Sequence, residues 1–198
     1  MSVKRQRLRS QDSRARAIEA ARQLLIEGGP AAVTLKAVAA LLGQSHANLL
    51  HHFGSAAGLQ TALIEAMAQD ITQRIGTAVL SVRRGENDHA HIVDLAFDAL
   101  QVEGAGSLAS WMILNRDTAA LAPLLRAIHN LVQELAEGAA AETVAHATLS
   151  LTLFALGDSL LGEPMTETLG LPRATPRMLA LQQLMALAAA AEPAQDQG

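Results

Sequence analysis

Residues 34–53 read TLKAVAALLGQSHANLLHHF, and this stretch decides the fold. Ala39, Gly43 and Leu49 stand at the spacing that two short helices crossing steeply require. Ala39 is small enough for the second helix to lie close to the first. Gly43 can take the positive φ that reverses the chain. Leu49 is placed to fill the apolar angle, with Val38, Leu42 and Leu50 beside it. Thr34 and Ser45 carry the hydroxyls that cap helix N-termini, so the helices are expected over 34–41 and 45–52. Ala-x-x-x-Gly alone fits an ordinary helical hairpin as well as a DNA-reading helix-turn-helix. The flanking chain distinguishes them.

Upstream, residues 1–10 read MSVKRQRLRS and show no apolar period. Lys4, Arg5, Arg7 and Arg9 make this a basic segment, expected to be a disordered arm that settles on phosphates or in a minor groove. Solvated charge at a chain end is the plainer reading of the arm taken alone. A helix is expected over 12–27, with Ile18, Ala21, Leu24 and Leu25 as its apolar stripe. Gly28-Gly29-Pro30 stops it. Arg14 and Arg16, near its start, can face a DNA backbone.

Downstream, Ser55 caps a long helix in which Leu59, Leu63, Met67, Ile71, Ile75, Val79 and Val82 keep helical spacing to about residue 84. After the polar break Arg83-Arg84-Gly85-Glu86-Asn87-Asp88, five more helices are expected over 88–103, 106–115, 118–137, 140–162 and 175–191. Pro123 allows the third of these to start nearer Leu121. Glu163-Pro164 and Gly170-Leu171-Pro172 bracket an expected loop, Thr175-Pro176 opens the last helix, and the tail AEPAQDQG is expected to be disordered. The fold class is therefore all-α. A basic head over 1–54 precedes a helical body over 55–198.

Composition agrees. Half of the 198 residues are hydrophobic, and the aromatic side chains are only three Phe and one Trp, which favours helix over sheet. With no cysteine, disulfides, thiol catalysis and thiolate metal sites are excluded. No apolar segment follows the basic arm, so no signal peptide is expected. The longest apolar stretches, near 143–157 and 178–191, fall short of a membrane span, so no membrane partner and a cytoplasmic location are expected. The net charge of −4 conceals a division between a head with eight basic and three acidic residues and a body with seven basic and sixteen acidic ones. That is the pattern of a DNA-facing module on an acidic body.

At residues 14–64 the sequence resembles the TetR family of bacterial transcriptional repressors. The residues that carry the resemblance are Thr34, Val38-Ala39, Gly43, Ser45, Leu50-His51-His52-Phe53, Ser55-Ala56 and Leu59. Two slots depart from the family pattern: Leu50 stands where the family has tyrosine, and Ala56 where it has lysine. A phosphate-binding hydroxyl and a cation are thereby missing. The resemblance implies a homodimer formed by the last two helices, a small-molecule pocket in the body, and control of DNA binding by the effector. It also gives His52 a role at the DNA.

The residues themselves suggest who would read DNA. Gln44 and Asn48 can each pair bidentately with adenine, and Ala47 can touch a thymine methyl. His46 and His51 can donate to phosphate or to guanine, although a solvated surface histidine is an equally common situation. Thr34, Lys36, Ser45, Ser55 and the arm residues Arg5, Arg7 and Arg9 are phosphate candidates. For the pocket, Phe97, Trp111, Met112, Asn115, His129, Phe154 and Asp158 are residues a plain core would seldom choose, and a mostly apolar lining suits a lipophilic effector. For the dimer interface, Val144, Ala147, Leu151, Ala155, Leu181, Leu184 and Met185 form the stripe, with intramolecular core as the competing reading.

No catalytic residues, cofactor or metal site are expected. There is no Gly-rich phosphate loop after a strand, no nucleophile elbow and no His-Glu-x-x-His. His89 and His91 beside Asp88 and Asp94 read as a polar loop opening a helix rather than a metal site. The chain is thus expected to be a double-stranded-DNA-binding homodimer on a palindromic operator, released by a small effector. The alternative is a sensor or protein-interaction dimer of the same build that has lost sequence-specific DNA binding.

Overall fold

The computed structural model describes residues 2–116, 118–136 and 141–191, with the side chains of 2–10, 118 and 191 excepted. The expected tail lies almost wholly outside them. Among the described residues there is helix and no strand. The helices are α1 (Ser2–Gly28), α2 (Leu35–Leu42), α3 (His46–Phe53), α4 (Ala56–Arg83), α5 (His89–Gln101), α6 (Ala105–Leu114), α7 (Ala122–Leu135), α8 (Ala141–Gly157), α9 (Glu163–Thr168) and α10 (Thr175–Ala191). Single 3-10 turns cover Pro30–Ala32 and Thr118–Leu121, and a π turn covers Asp158–Gly162.

The chain forms two compact units, residues 1–67 with 103–124, and residues 68–102 with 125–198. The boundary expected from charge, after residue 54, thus differs from the grouping by contact. Within the first unit α1 stops at Gly29, whose φ of 71° is left-handed and whose N–H donates to the Leu25 carbonyl at 2.9 Å. Pro30 then opens the 3-10 turn. Gln60 on α4 donates from its amide to the carbonyls of Pro30 and Val33, at 3.4 and 3.3 Å, fixing α4 to this connection. Ala17, Ala21, Leu25, Val33, Val38, Leu49, Leu59 and Leu63 are buried and form the head's core. Residues 103–124 belong to the same unit for visible reasons. Glu103 pairs with Arg22 at 3.7 Å, and Gly104, at φ 82°, brings its backbone so near Leu25 that a Cβ would lie 3.1 Å from it.

One expectation fails at the N-terminus. Residues 2–10 do not form an irregular arm but continue α1 as helix. Arg and Gln are good helix formers, and a helix already nucleated downstream extends at one hydrogen bond per residue.

In the second unit, α5, α8 and α10 pack together with the later turns of α4. Ile92, Val93, Ala96, Phe97, Leu151, Ala155 and Ala180 are its buried cluster, with Leu181 and Leu184 against it. Arg177 of α10 straddles two carboxylates one turn apart on α5, reaching Asp94 at 2.9 Å and Asp98 at 2.6 Å while lying 5.3 Å from the Phe97 ring centre. Partial burial works against its charge, but the two carboxylates outweigh that and hold the guanidinium above its ordinary pKa. Arg83 donates to the Leu135 carbonyl at 2.7 Å, satisfying one of the unpaired acceptors at the end of α7.

The expected loop after residue 162 is also corrected. α8 runs through the π turn into α9, so the helix continues to Thr168. Pro164 has no N–H to offer, and the wider turn places it at the start of a new helical segment, where none is required. Thr166 then bonds back from its hydroxyl to Gly162 and Glu163 carbonyls at 2.8 and 3.0 Å. The bulge also turns Asp158 inward. Its fully buried carboxylate meets the Arg173 guanidinium in two parallel contacts of 2.6 and 2.9 Å, and hydrogen bonding to Asp158 raises the Arg173 pKa. Gly162 makes room, since a Cβ there would collide with the Asp158 carboxylate.

The uninterrupted stretch Ala141–Thr168 is long and apolar enough, by length and composition, to cross a membrane. Only 17% of its apolar window is buried. Leu149, Leu153, Leu160, Leu161 and Met165 are exposed along it.

Removing Arg173 strands a buried carboxylate, whereas neutralising Asp158 leaves a guanidinium that water can reach. Arg173→Ala should therefore lower unfolding stability by about 3 kcal/mol. Asp158→Asn should cost clearly less. Urea denaturation of the two variants checks the order.

Candidate nucleic-acid interface

The head's geometry begins with two caps and one turn. Thr34 accepts from the Ala37 N–H at 3.1 Å and Ser45 from the Asn48 N–H at 3.3 Å. Between them Gly43 lies at φ 62°, ψ 31°, the left-handed conformation its lack of a side chain permits, and donates to Ala39 and Ala40 carbonyls. The helix bounds follow the sequence expectation within one residue, and Leu49 is completely buried in the angle.

With Leu49 inward, the 100° advance per residue fixes the rest of α3. His46, Ala47, Leu50 and His51 face solvent, and Gln44, Asn48, His52 and Phe53 are half-buried at the margins. Leu50, read from sequence as part of the plug, is instead 44% exposed on the outer face. Of α3's two leucines only Leu49 fills the angle, because a residue one step along the helix points too far round.

The surroundings hold this face steady. Phe53 lies under the Arg14 guanidinium, 5.2 Å from ring centre to charge, which ties the end of α3 to α1. Ser55 accepts from the Gly58 N–H at 2.9 Å and caps α4. Gly58 is a requirement, because a Cβ would run into the Phe53 carbonyl. Lys36 is exposed at the start of α2. Thr34 spends its oxygen lone pair on the cap but retains its O–H as a donor. Arg5, Arg7 and Arg9 sit on the first turns of α1, and their side chains lie outside the described residues.

Gln44 and Asn48 are brought into contact, the Asn48 side-chain amide donating to the Gln44 side-chain oxygen at 2.9 Å. The i to i+4 spacing could have signalled this pair in advance. The result is a solvent-facing short helix, capped at its N-terminus, carrying neutral hydrogen-bonding groups and flanked by cations. Such a helix can enter a major groove.

This architecture defines a helix-turn-helix DNA-binding protein. Residues 17–63 match the family described as bacterial regulatory proteins, tetR family. Over these residues the chain carries a DNA-binding head of that family's kind, which supports a DNA-binding transcriptional regulator. No curated relative matches it significantly.

The body candidates are placed as follows. Phe97 is fully buried beneath Arg177, and Asp158 is buried against Arg173. Met112 is buried, while Trp111 is 38% exposed and its carbonyl accepts from the Asn115 side-chain amide at 2.8 Å. His129 is exposed, as is Phe154 at 39%. Of the stripe named for the dimer, Leu151, Ala155, Leu181 and Leu184 are held in the second unit's own cluster. Val144 and Ala147 are half-buried, and Met185 is exposed. Asp88 caps α5 by accepting from the His91 N–H at 3.2 Å. Among the described residues no group of three metal-ligating side chains occurs. Sequence reasoning missed the Arg173 and Arg177 contacts. The i, i+4 spacing of Asp94 with Asp98 and of Arg173 with Arg177 was visible, but not which helix each would face.

The exposed positions of Leu50 and Ala56 suit them to phosphate contact if re-equipped. The double variant Leu50→Tyr with Ala56→Lys should bind DNA more tightly. Its log-affinity against log-salt slope should steepen by about 0.9 for each phosphate newly neutralised, so by roughly one unit per subunit. Fluorescence anisotropy across a salt series measures both.

Proposed function

We propose that the protein is a homodimeric repressor that binds a palindromic operator and is released by a small lipophilic effector. The observation that carries the reading is the outward face of α3, where Gln44, His46 and Asn48 surround the capped N-terminus and His51 lies in the last turn. One helix of eight residues covers too few base pairs to specify a site. Two copies about 34–36 Å apart read one palindrome.

The exposed apolar side chains of α8, the π turn, α9 and α10 support the dimer. Leu149, Leu153 and Leu160 recur at helical spacing, and Met178 and Met185 do so on α10. A contiguous apolar patch on a folded chain marks an interaction surface. This face, rather than the inward stripe of Leu151, Ala155, Leu181 and Leu184, is assigned to the second copy. It also explains why Ala141–Thr168 carries a membrane-like composition in a protein we place in the cytoplasm. The apolar composition of the helical body suits a lipophilic effector. Release would follow from the effector's differential affinity for two conformations.

A second reading is favoured by one observation. Leu50 and Ala56 remove a hydroxyl and a cation from exposed positions beside α3. A sensor or protein-interaction dimer that no longer reads DNA sequence would tolerate both.

Asn48→Ala should weaken specific binding by about 1–3 kcal/mol and leave non-specific binding nearly unchanged. Deleting residues 2–10 should weaken both alike. Anisotropy against the DNA upstream of the protein's own gene, with a scrambled competitor, separates these effects, and the reverse pattern would show that α3 is not the reading helix. Equal binding by the native protein to both DNAs at every salt concentration would favour the second reading.

Leu153→Glu should convert dimer to monomer without loss of helicity. Sedimentation together with circular dichroism tests this, and an unchanged sedimentation coefficient would sink the assigned face.

A further inference from the structure

The sequence allowed Gln44 and Asn48 to act as two independent adenine readers. The structure joins them. From their hydrogen bond we infer that they read DNA as one unit, with Asn48 selecting adenine and Gln44 selecting a guanine on the neighbouring base pair. This rests on the operator-binding function proposed above.

The inventory of donors and acceptors leads to this division. Asn48 gives one of its two amide hydrogens to Gln44. It keeps its carbonyl oxygen and the second hydrogen, the acceptor–donor pair that matches N6 and N7 of adenine. Gln44 has one lone pair of its oxygen engaged and keeps two unused hydrogens on its amide nitrogen. Two donors match O6 and N7 of guanine. An adenine amino group would have to share that oxygen with the Asn48 amide hydrogen, whereas guanine is met by the Gln44 amide hydrogens alone, and cytosine presents a donor where Gln44 also presents donors. Direct contact between the two amides keeps their free groups close together, as neighbouring base pairs require.

The pair is already formed in the free protein, and both side chains are half-buried. Each therefore faces the groove with less rotamer freedom left to lose. Gln44 precedes the cap of α3 and Asn48 lies in its first turn, the end of a recognition helix that meets base edges. Ser45, by bonding the Asn48 backbone N–H, sets the turn that brings the two side chains together.

The test is selection of sites from randomised double-stranded DNA by the full chain and by two variants. The native protein should enrich an adenine beside a guanine in each half-site, each favoured about tenfold or more over other bases. Gln44→Glu keeps an oxygen for Asn48 and replaces the donors by an acceptor, so the guanine should give way to cytosine while the adenine stays. Gln44→Ala should relax the guanine position and loosen the adenine position too. Enrichment of adenine at the Gln44 position, or guanine persisting in the Gln44→Glu selection, would overturn the division of labour while leaving operator binding intact. Absence of any enriched motif would overturn both readings. The free protein gives an independent check by NMR: Gln44→Ala should shift one Asn48 side-chain amide proton upfield, and no shift would mean the pair does not form in solution.

Discussion

The burial of one leucine sets the orientation of the outward face of α3. Leu49 is fully enclosed between α2 and α3, and a helix has a fixed angular step, so its neighbours have no choice of direction. His46, Ala47, Leu50 and His51 must point out if Leu49 points in. The angle itself depends on Gly43, the left-handed residue between the two helices. With the turn set by a backbone torsion and the phase by one apolar contact, the polar residues contribute little to the fold of α3 and are left available for recognition. Phe53, under Arg14 and beside the tight approach of Gly58, fixes the far end of the same helix.

Local chemistry was legible wherever it acts over a few residues. The caps at Thr34, Ser45 and Ser55, the turn at Gly43 and the stop at Gly29 all depend on hydrogen bonds or torsions within about one helical turn, and all were readable from residue type and spacing. The errors arose where a local signal met a context that changed its meaning. Pro164 reads as a breaker, yet the preceding π turn converts it into the opening of α9. Residues 2–10 lack an apolar period, yet they extend a helix that is already nucleated. Leu50 is apolar, but its angular position, not its chemistry, decides that it is exposed. Of the apolar stripe on α8 and α10, periodicity revealed its existence and not its direction. A helix with apolar residues on two faces gives no sequence rule for which face its own chain will cover.

The second unit shows what such ambiguity costs in specification. α8 is apolar nearly all round, so hydrophobicity alone would allow several rotations against α5. The arginines remove that freedom. Arg177 can reach Asp94 and Asp98 together in only one register of α10 on α5, and Arg173 finds Asp158 only because the π turn rotates that carboxylate inward. Charged contacts of this sort add to uniqueness, because a wrong placement of Arg173 leaves the Asp158 carboxylate buried without its partner. The opposite apolar face then remains uncovered by the chain's own helices, and its orientation is fixed by the same contacts.

Affinity and specificity are carried by different residues in the head. From Gln44 to Phe53 there is no lysine or arginine, so the reading helix has no permanent charge with which to release counterions. In the proposed function, attraction to phosphate would come from its flanks, from Lys36, Arg14, Arg16 and the basic first turns of α1. Neutral amides on α3 gain little in non-specific contact, where no base edge matches them, and leave unpaired groups when the base is wrong. On the proposed function, discrimination would therefore rest on the fit of a few hydrogen bonds, while residence on any duplex would rest on charge lying outside the helix. The absence of a cation at position 56 would weaken the second of these and leave the first untouched. A head built in this way would lose overall affinity with rising salt faster than its preference for one sequence.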